Sequence, residues 1–168
     1  MRCVIDTGID WTHPMLGGFA QAPNDKVIHA ASLTGENPID NYGHGTHVAG
    51  IIAGDADYKG TPRGDAQVSG IAPKAKLMGY KVLTAAGSGS ATNIILAMED
   101  AARKGAHVMN LSLGDSFGDP FSPESSAANN AMLAGCIMVI AAGNAGPERS
   151  SVGAPGAAHH VITIAWTL

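Results

Sequence analysis

Two side chains of this sequence make a pair able to move a proton. Asp6 closes the short apolar run at residues 3–5, and His44 stands between Gly43 and Gly45 at the head of a second apolar run, residues 46–53. An imidazole is the side chain best matched to proton transfer near neutral pH, and a carboxylate beside it selects the tautomer and stabilises the imidazolium. Two opposed effects act on such a histidine: the positive end of a helix lowers its pKa, and a nearby carboxylate raises it. A third polar side chain, the Asn144 amide, projects from the end of another apolar run, residues 136–141.

The surrounding pattern says what positions these groups. Apolar runs at residues 3–5, 27–31, 75–83, 106–113, 136–141 and 161–165 read as strands. The run at residues 106–113 is almost wholly apolar, as expected of a parallel strand buried on both faces, and that at residues 136–141 also reads as a buried strand. Helices are expected at residues 46–53, at residues 91–104 and at residues 123–134. Ser90 caps the second of these, and Ala91, Ile94, Ile95, Met98, Ala101 and Ala102 form its apolar face. Arg103 and Lys104 suit its negative end, and Gly105 stops it. Ser122, Pro123 and Glu124 open the third, which Gly135 stops. Alternation of strands and helices at this spacing gives an α/β chain with a doubly wound, mostly parallel sheet. In such a sheet, polar residues just past the carboxyl ends of strands are where ligands and catalytic groups collect, which is where Asp6 and Asn144 fall.

Three stretches in this order, Asp6-Thr7-Gly8-Ile9-Asp10, His44-Gly45-Thr46-His47-Val48-Ala49-Gly50 and Ala142-Gly143-Asn144, resemble motifs of the subtilisin-like serine proteases (subtilases, peptidase family S8). They match the family's catalytic-aspartate, catalytic-histidine and oxyanion-hole motifs, and the resemblance covers nearly the whole chain. It implies a three-layer, subtilisin-like sheet, incomplete at the C-terminus, with residues 1–168 as the N-terminal portion of a single peptidase domain. It also implies serine endopeptidase activity in the parent protein, with His44 as general base, Asp6 orienting it and Asn144 donating to the tetrahedral oxyanion. Gly87, Ser88 and Gly89 would then line the cleft and pair with an extended peptide substrate by β-augmentation. Ser112, Leu113 and Gly114 would form the other wall of the primary specificity pocket. Small residues near Gly114 and Gly143 leave room there for a bulky apolar side chain.

One departure from the family bears on activity. The nucleophile motif Gly-Thr-Ser-Met-Ala does not occur in this sequence. The chain alone is therefore expected to be inactive, and its expected partners are a peptide or protein substrate and the C-terminal part of the same domain. No cofactor is expected; calcium is the one the resemblance allows, but an acidic residue after a His-Pro pair ligates it in many family members, whereas Met15 follows His13 and Pro14 here. An extracellular location is a family expectation, with no signal peptide before the first strand.

Composition bounds the alternatives. A length of 168 residues, 45% hydrophobic and 14% charged, suits one globular domain with a sizeable core. A net charge of -4 supplies no basic surface for nucleic acid, and no apolar run reaches the roughly 20 residues that span a membrane. Cys3 and Cys136 read as free buried thiols. Glu36 and Asp40 read as solvated carboxylates, and Asp55, Asp57 and Asp65 as a solvated loop whose spacing does not match a calcium loop. His47 reads as a structural helix histidine, and His159 and His160 as surface or capping residues. Gly114-Asp115-Ser116-Phe117-Gly118 matches the Gly-x-Ser-x-Gly nucleophile elbow by chance, since Asp119-Pro120 interrupts the helix that an elbow must enter.

Two other classes compete. A non-catalytic relative would bind peptides in the same glycine-lined cleft, and an altered residue at the serine position of the full-length protein would mark it. A nucleotide-binding sheet would need Gly-x-Gly-x-x-Gly between a strand and a helix, which is missing.

Overall fold

The structure, a computed structural model, describes residues 1–18, 21–57 and 68–166. Most of the expected polar loop at residues 55–65, including Asp65, lies outside them. The chain forms two compact units, Met1–Gly89 and Ser90–Leu168.

The first unit is built on three parallel strands, β1 (Arg2–Asp6), β2 (Val27–Ser32) and β3 (Leu77–Lys81). β3 lies in the middle, paired with β1 from Arg2–Leu77 to Asp6–Lys81, and with β2 through a register shift between Val27 and His29. All five residues of β3 are buried, as a central strand requires. Helix α1 (His44–Ala53) packs against β1. Its Ala49 and Ala53 join Val4, Ile9, Trp11, Leu16, Val27 and Leu77 in the core. The helix starts at His44 itself, two residues before the apolar run that announced it.

The second unit contains α2 (Ala91–Arg103), β4 (Val108–Leu111), α3 (Pro123–Leu133), β5 (Ile137–Ala141) and β6 (Ile162–Ile164). β5 is the middle strand, parallel to both neighbours. The expected caps form: the Ser90 hydroxyl accepts the Asn93 N–H and that of Ser122 accepts the Ser125 N–H, each at 3.2 Å. Such caps contribute about 1 kcal/mol apiece. Helix α2 buries Ile94, Ala97, Met98 and Ala101, the i, i+3, i+4, i+7 stripe, whereas Ala91 is exposed and Ile95 and Ala102 are half-buried. The expectation of strands buried on both faces is corrected here. β4 buries Met109 and Leu111 and β5 buries Met138 and Ile140, but their alternate residues are half-buried or exposed, and β6 is exposed throughout. Side chains alternate across a strand, so a sheet covered on one face shows this alternation whatever the hydropathy of its run.

Both cysteines are buried and neither forms a disulfide, and the Cys136 thiol donates to the Ala106 carbonyl at 3.0 Å. Among the described residues, no helix is long and apolar enough to cross a membrane.

Candidate functional site

Asp6 is the last residue of β1 and is fully buried, while His44 opens α1 with its side chain 44% exposed. His44 Nδ1 lies 2.8 Å from Asp6 Oδ1 and 3.0 Å from Oδ2. Asp6 Oδ1 also accepts the Thr7 N–H at 2.7 Å. Burial raises the Asp6 carboxyl above its ordinary 3.8, against hydrogen bonds from His44 and Thr7 that act to lower it. A carboxylate held on Nδ1 leaves Nε2 as the nitrogen that can accept a proton, so the pair has the arrangement of an oriented general base.

Backbone contact makes this approach possible. A Cβ on Gly45 would lie 2.2 Å from the Gly8 carbonyl oxygen and 3.1 Å from Asp6 Cβ, so only glycine fits where α1 crosses the loop leaving β1. Two hydroxyls close the junction: the Gly45 N–H donates to Thr7 Oγ1 at 2.9 Å, and the Asp10 N–H to Thr46 Oγ1 at 2.9 Å.

The segment expected to meet a peptide strand leaves β3 beside this pair. The Asp6 carbonyl accepts the N–H groups of Val82 and Leu83, at 2.9 and 3.2 Å. Leu83 and Gly89 form an isolated antiparallel bridge, and the turn between them uses the Gly87 N–H and the Ser88 carbonyl internally. Gly87, Ser88 and Gly89 therefore sit in a small hairpin, and part of their hydrogen-bonding capacity is already committed.

Lys81, at the end of β3, is fully buried. Its Nζ donates to the Thr7 carbonyl at 3.0 Å and to that of Ile39 at 3.5 Å, and pairs with Glu36 Oε2 at 3.2 Å. Glu36 also accepts the Ala85 N–H at 3.1 Å. Sequence reasoning missed Lys81 because a lysine at a strand end ordinarily reads as exposed. Glu36 is on the surface as expected, but partnered.

Two carboxylates expected to be solvated are buried. Asp40 has 9% of its surface exposed and accepts five hydrogen bonds around the start of α1. Asp55 is 5% exposed and pairs with Lys74 at 2.9 Å. Charge patterning alone could not find either, because the partners of Asp40 are mostly backbone N–H groups and hydroxyls and Lys74 is distant in sequence.

Asn144 and Ser112, Leu113 and Gly114 belong to the second unit, where they follow the carboxyl ends of the paired strands β5 and β4. Ser112 and Leu113 are half-buried, and Gly114 and Asn144 exposed. Residues 153 and 154 stitch the two strand exits: the Asp115 N–H donates to the Ala154 carbonyl at 2.9 Å, and the Gly153 N–H to that of Ala142 at 2.8 Å. Ser116 lies in a loop, with the next helix beginning only at Pro123, so the elbow geometry is absent there. His47, His159 and His160 are exposed.

The family's calcium position holds Met15 in place of a carboxylate. Met15 offers a thioether and a backbone carbonyl that already accepts the Asp55 N–H at 3.0 Å. Among the described residues, no group of three or more His, Cys, Asp or Glu is placed to hold a metal.

A parallel α/β chain that sets a buried carboxylate against an imidazole at the carboxyl end of a strand has the frame of the acid–base half of a nucleophilic hydrolase. Comparison with known proteins gives the family: the chain belongs to the subtilases, whose family model (Peptidase_S8) matches residues 3–168. It is 37% identical over 171 residues to the minor extracellular protease Vpr of Bacillus subtilis (strain 168), a match covering 98% of this chain and 20% of that protein. Subtilisin Savinase of Lederbergia lenta is 40% identical over 146 residues, covering 85% of this chain and 47% of that one. Among solved structures, an S41 psychrophilic protease superposes with a TM-score of 0.79 at 32% identity, covering 96% of this chain and 51% of that chain. For sphericase the TM-score is 0.75 at 34% identity, covering 96% and 52%. The doubly wound α/β fold is thus subtilisin-like, and the chain spans no more than about half the length of these relatives.

Proposed function

We propose that the protein carrying this chain is a serine endopeptidase in which Asp6 and His44 form the acid–base part of an Asp-His-Ser triad. The observation that carries the reading is the double contact of the Asp6 carboxylate with His44 Nδ1, at 2.8 and 3.0 Å. In the reaction, His44 Nε2 takes the proton of a serine hydroxyl as that oxygen attacks the scissile carbonyl, and later returns it to the leaving amine. Asp6 holds the ring and stabilises the imidazolium, and the Asn144 amide donates to the oxyanion. Without such a donor turnover falls on the order of a hundred- to a thousandfold.

The serine comes from a segment outside these 168 residues, so the chain by itself has no nucleophile for the acyl step. Gly87, Ser88 and Gly89, together with Ser112, Leu113 and Gly114, bind the extended peptide substrate, with preference for a bulky apolar side chain. The mechanism uses no metal. The names of the relatives favour an extracellular protein, one of them being an extracellular protease.

The test is peptide hydrolysis by the full-length protein, its His44→Ala variant and the 168-residue chain. Activity in the first, a drop on the order of ten-thousandfold or more in the second, and none in the third are expected. A folded full-length protein that binds peptides without cleaving them would instead establish the non-catalytic alternative.

A further inference from the structure

Helix α1 begins without a cap of its own. The residue before it, Gly43, has a left-handed backbone (φ 101°) and no side chain, and it is Asp40, four residues ahead of His44, that fills the space in front of the first turn. Its Oδ1 accepts from Thr7 Oγ1, Tyr42 N–H and Gly43 N–H, each at 2.9 Å. Its Oδ2 accepts from the Thr46 N–H at 2.9 Å and from Thr46 Oγ1 at 2.6 Å. Five donors converge on one nearly buried carboxylate at the positive end of the helix.

The two hydroxyls give this cluster a role beyond capping. A threonine hydroxyl has a single proton, and both Thr7 and Thr46 spend it on Asp40. Their lone pairs are thereby turned towards backbone donors: Thr7 Oγ1 takes the N–H of Gly45, the residue after His44, and Thr46 Oγ1 takes the N–H of Asp10, on the loop that leaves Asp6. Both cross-links between the histidine helix and the aspartate loop therefore depend on one acceptor. The backbone of Asp40 is wedged into the same junction, since a Cβ on Gly8 would lie 3.1 Å from Asp40 N and 3.2 Å from its Cα.

We propose that Asp40 is a positioning residue for the Asp6–His44 pair, fixing the distance and orientation of the imidazole by holding Thr7 and Thr46 in the rotamers that lock α1 onto the loop after β1. The inference rests on the protease reading for its effect on turnover, but not for its effect on the geometry of the pair. It predicts behaviour that a simple helix cap lacks. Burial alone raises the Asp40 carboxyl, but hydrogen bonds from Thr46, Gly43 and Tyr42 outweigh it and hold the pKa below its ordinary 3.8, so Asp40 is an anion wherever a protease of this kind would work. An asparagine keeps the shape but must turn an NH2 group towards donors, so one side of the cluster opens.

The experiment has two arms on Asp40→Asn and the milder Thr46→Val. In the full-length protein, kcat is expected to fall on the order of 10- to 100-fold with KM held within about twofold, as for a displaced catalytic group. In NMR spectra of the same proteins, the low-field proton resonance of His44 Nδ1–H is expected in the wild type and should broaden or vanish in the variants. Unchanged kcat and an unchanged resonance, with only a lower melting temperature, would reduce Asp40 to a cap and overturn the proposal. A wild type that shows the resonance but hydrolyses no peptide would defeat the protease reading alone, and the response of the resonance to the substitutions would still decide the role of Asp40.

Discussion

Asp6 divides its carboxylate between a side chain and its own neighbour: both oxygens lie within 3.0 Å of His44 Nδ1, and Oδ1 also holds the Thr7 N–H at 2.7 Å. These bonds do not offset the cost of burying the charge, since burial leaves the carboxyl above its ordinary 3.8. The folded state then binds more protons than the unfolded state just above that pH, so stability falls as pH rises from 3.8 through the folded value. Asp6→Asn is expected to be more stable than the wild type at pH 7, although it abolishes the proposed base. Urea titrations at several pH values should show the gap closing below about pH 4; a gap that persists at pH 3 would assign the gain to something other than the charge.

Thr7 is buried and serves two partners, Asp40 as donor and the Gly45 N–H as acceptor. Thr7→Val keeps the shape and orphans both, at a cost of about 1–3 kcal/mol, while Thr7→Ser restores most of it. Chemical denaturation of the three proteins measures the difference, and a Thr7→Val variant as stable as the wild type would show that the two hydrogen bonds contribute nothing net.

Two glycines of the same helix should behave in opposite ways. Gly45→Ala drives a Cβ to 2.2 Å from the Gly8 carbonyl oxygen and should cost about 3 kcal/mol. Gly50→Ala meets nothing within 4 Å and should gain about 0.5–1 kcal/mol from its higher helix propensity. Thermal melts of the pair would refute the crossing geometry if Gly45→Ala proved neutral.

Lys81→Met removes a buried ammonium that holds two carbonyls and Glu36, and is expected to lower stability by about 1–3 kcal/mol. Glu36→Gln should cost less in the Lys81→Met background than in the wild type, with a coupling of about 0.5–3 kcal/mol. A double-mutant cycle giving no coupling would mean that solvent screens the half-exposed Glu36 and that the carbonyl contacts dominate.

Most elements of the fold were legible because local signals agreed with tertiary demand. Ser90 and Ser122 cap the helices they announce, and the apolar runs before Asp6 and Asn144 become β1 and β5. The pairing of Asp6 with His44 was legible as well, since a polar residue past a strand and a histidine between glycines each mark a position where chain geometry delivers a side chain to a site. Asp40 and Lys81 were not. Their composition matches any surface loop or strand end, and what makes them structural is a set of donors and acceptors from other segments.

The sequence by itself determined the order of strands and helices and the residues that could do chemistry, because hydropathy period, caps and short motifs act within one or two turns of chain. Only the tertiary structure decided which face of each strand is covered, that Asp40 and Asp55 are buried, and that Lys81 lies beneath the loop after Asp6. Burial and hydrogen-bond partnership depend on groups brought together from distant parts of the chain, and the identity of a charged residue does not reveal whether such partners will be there to meet it.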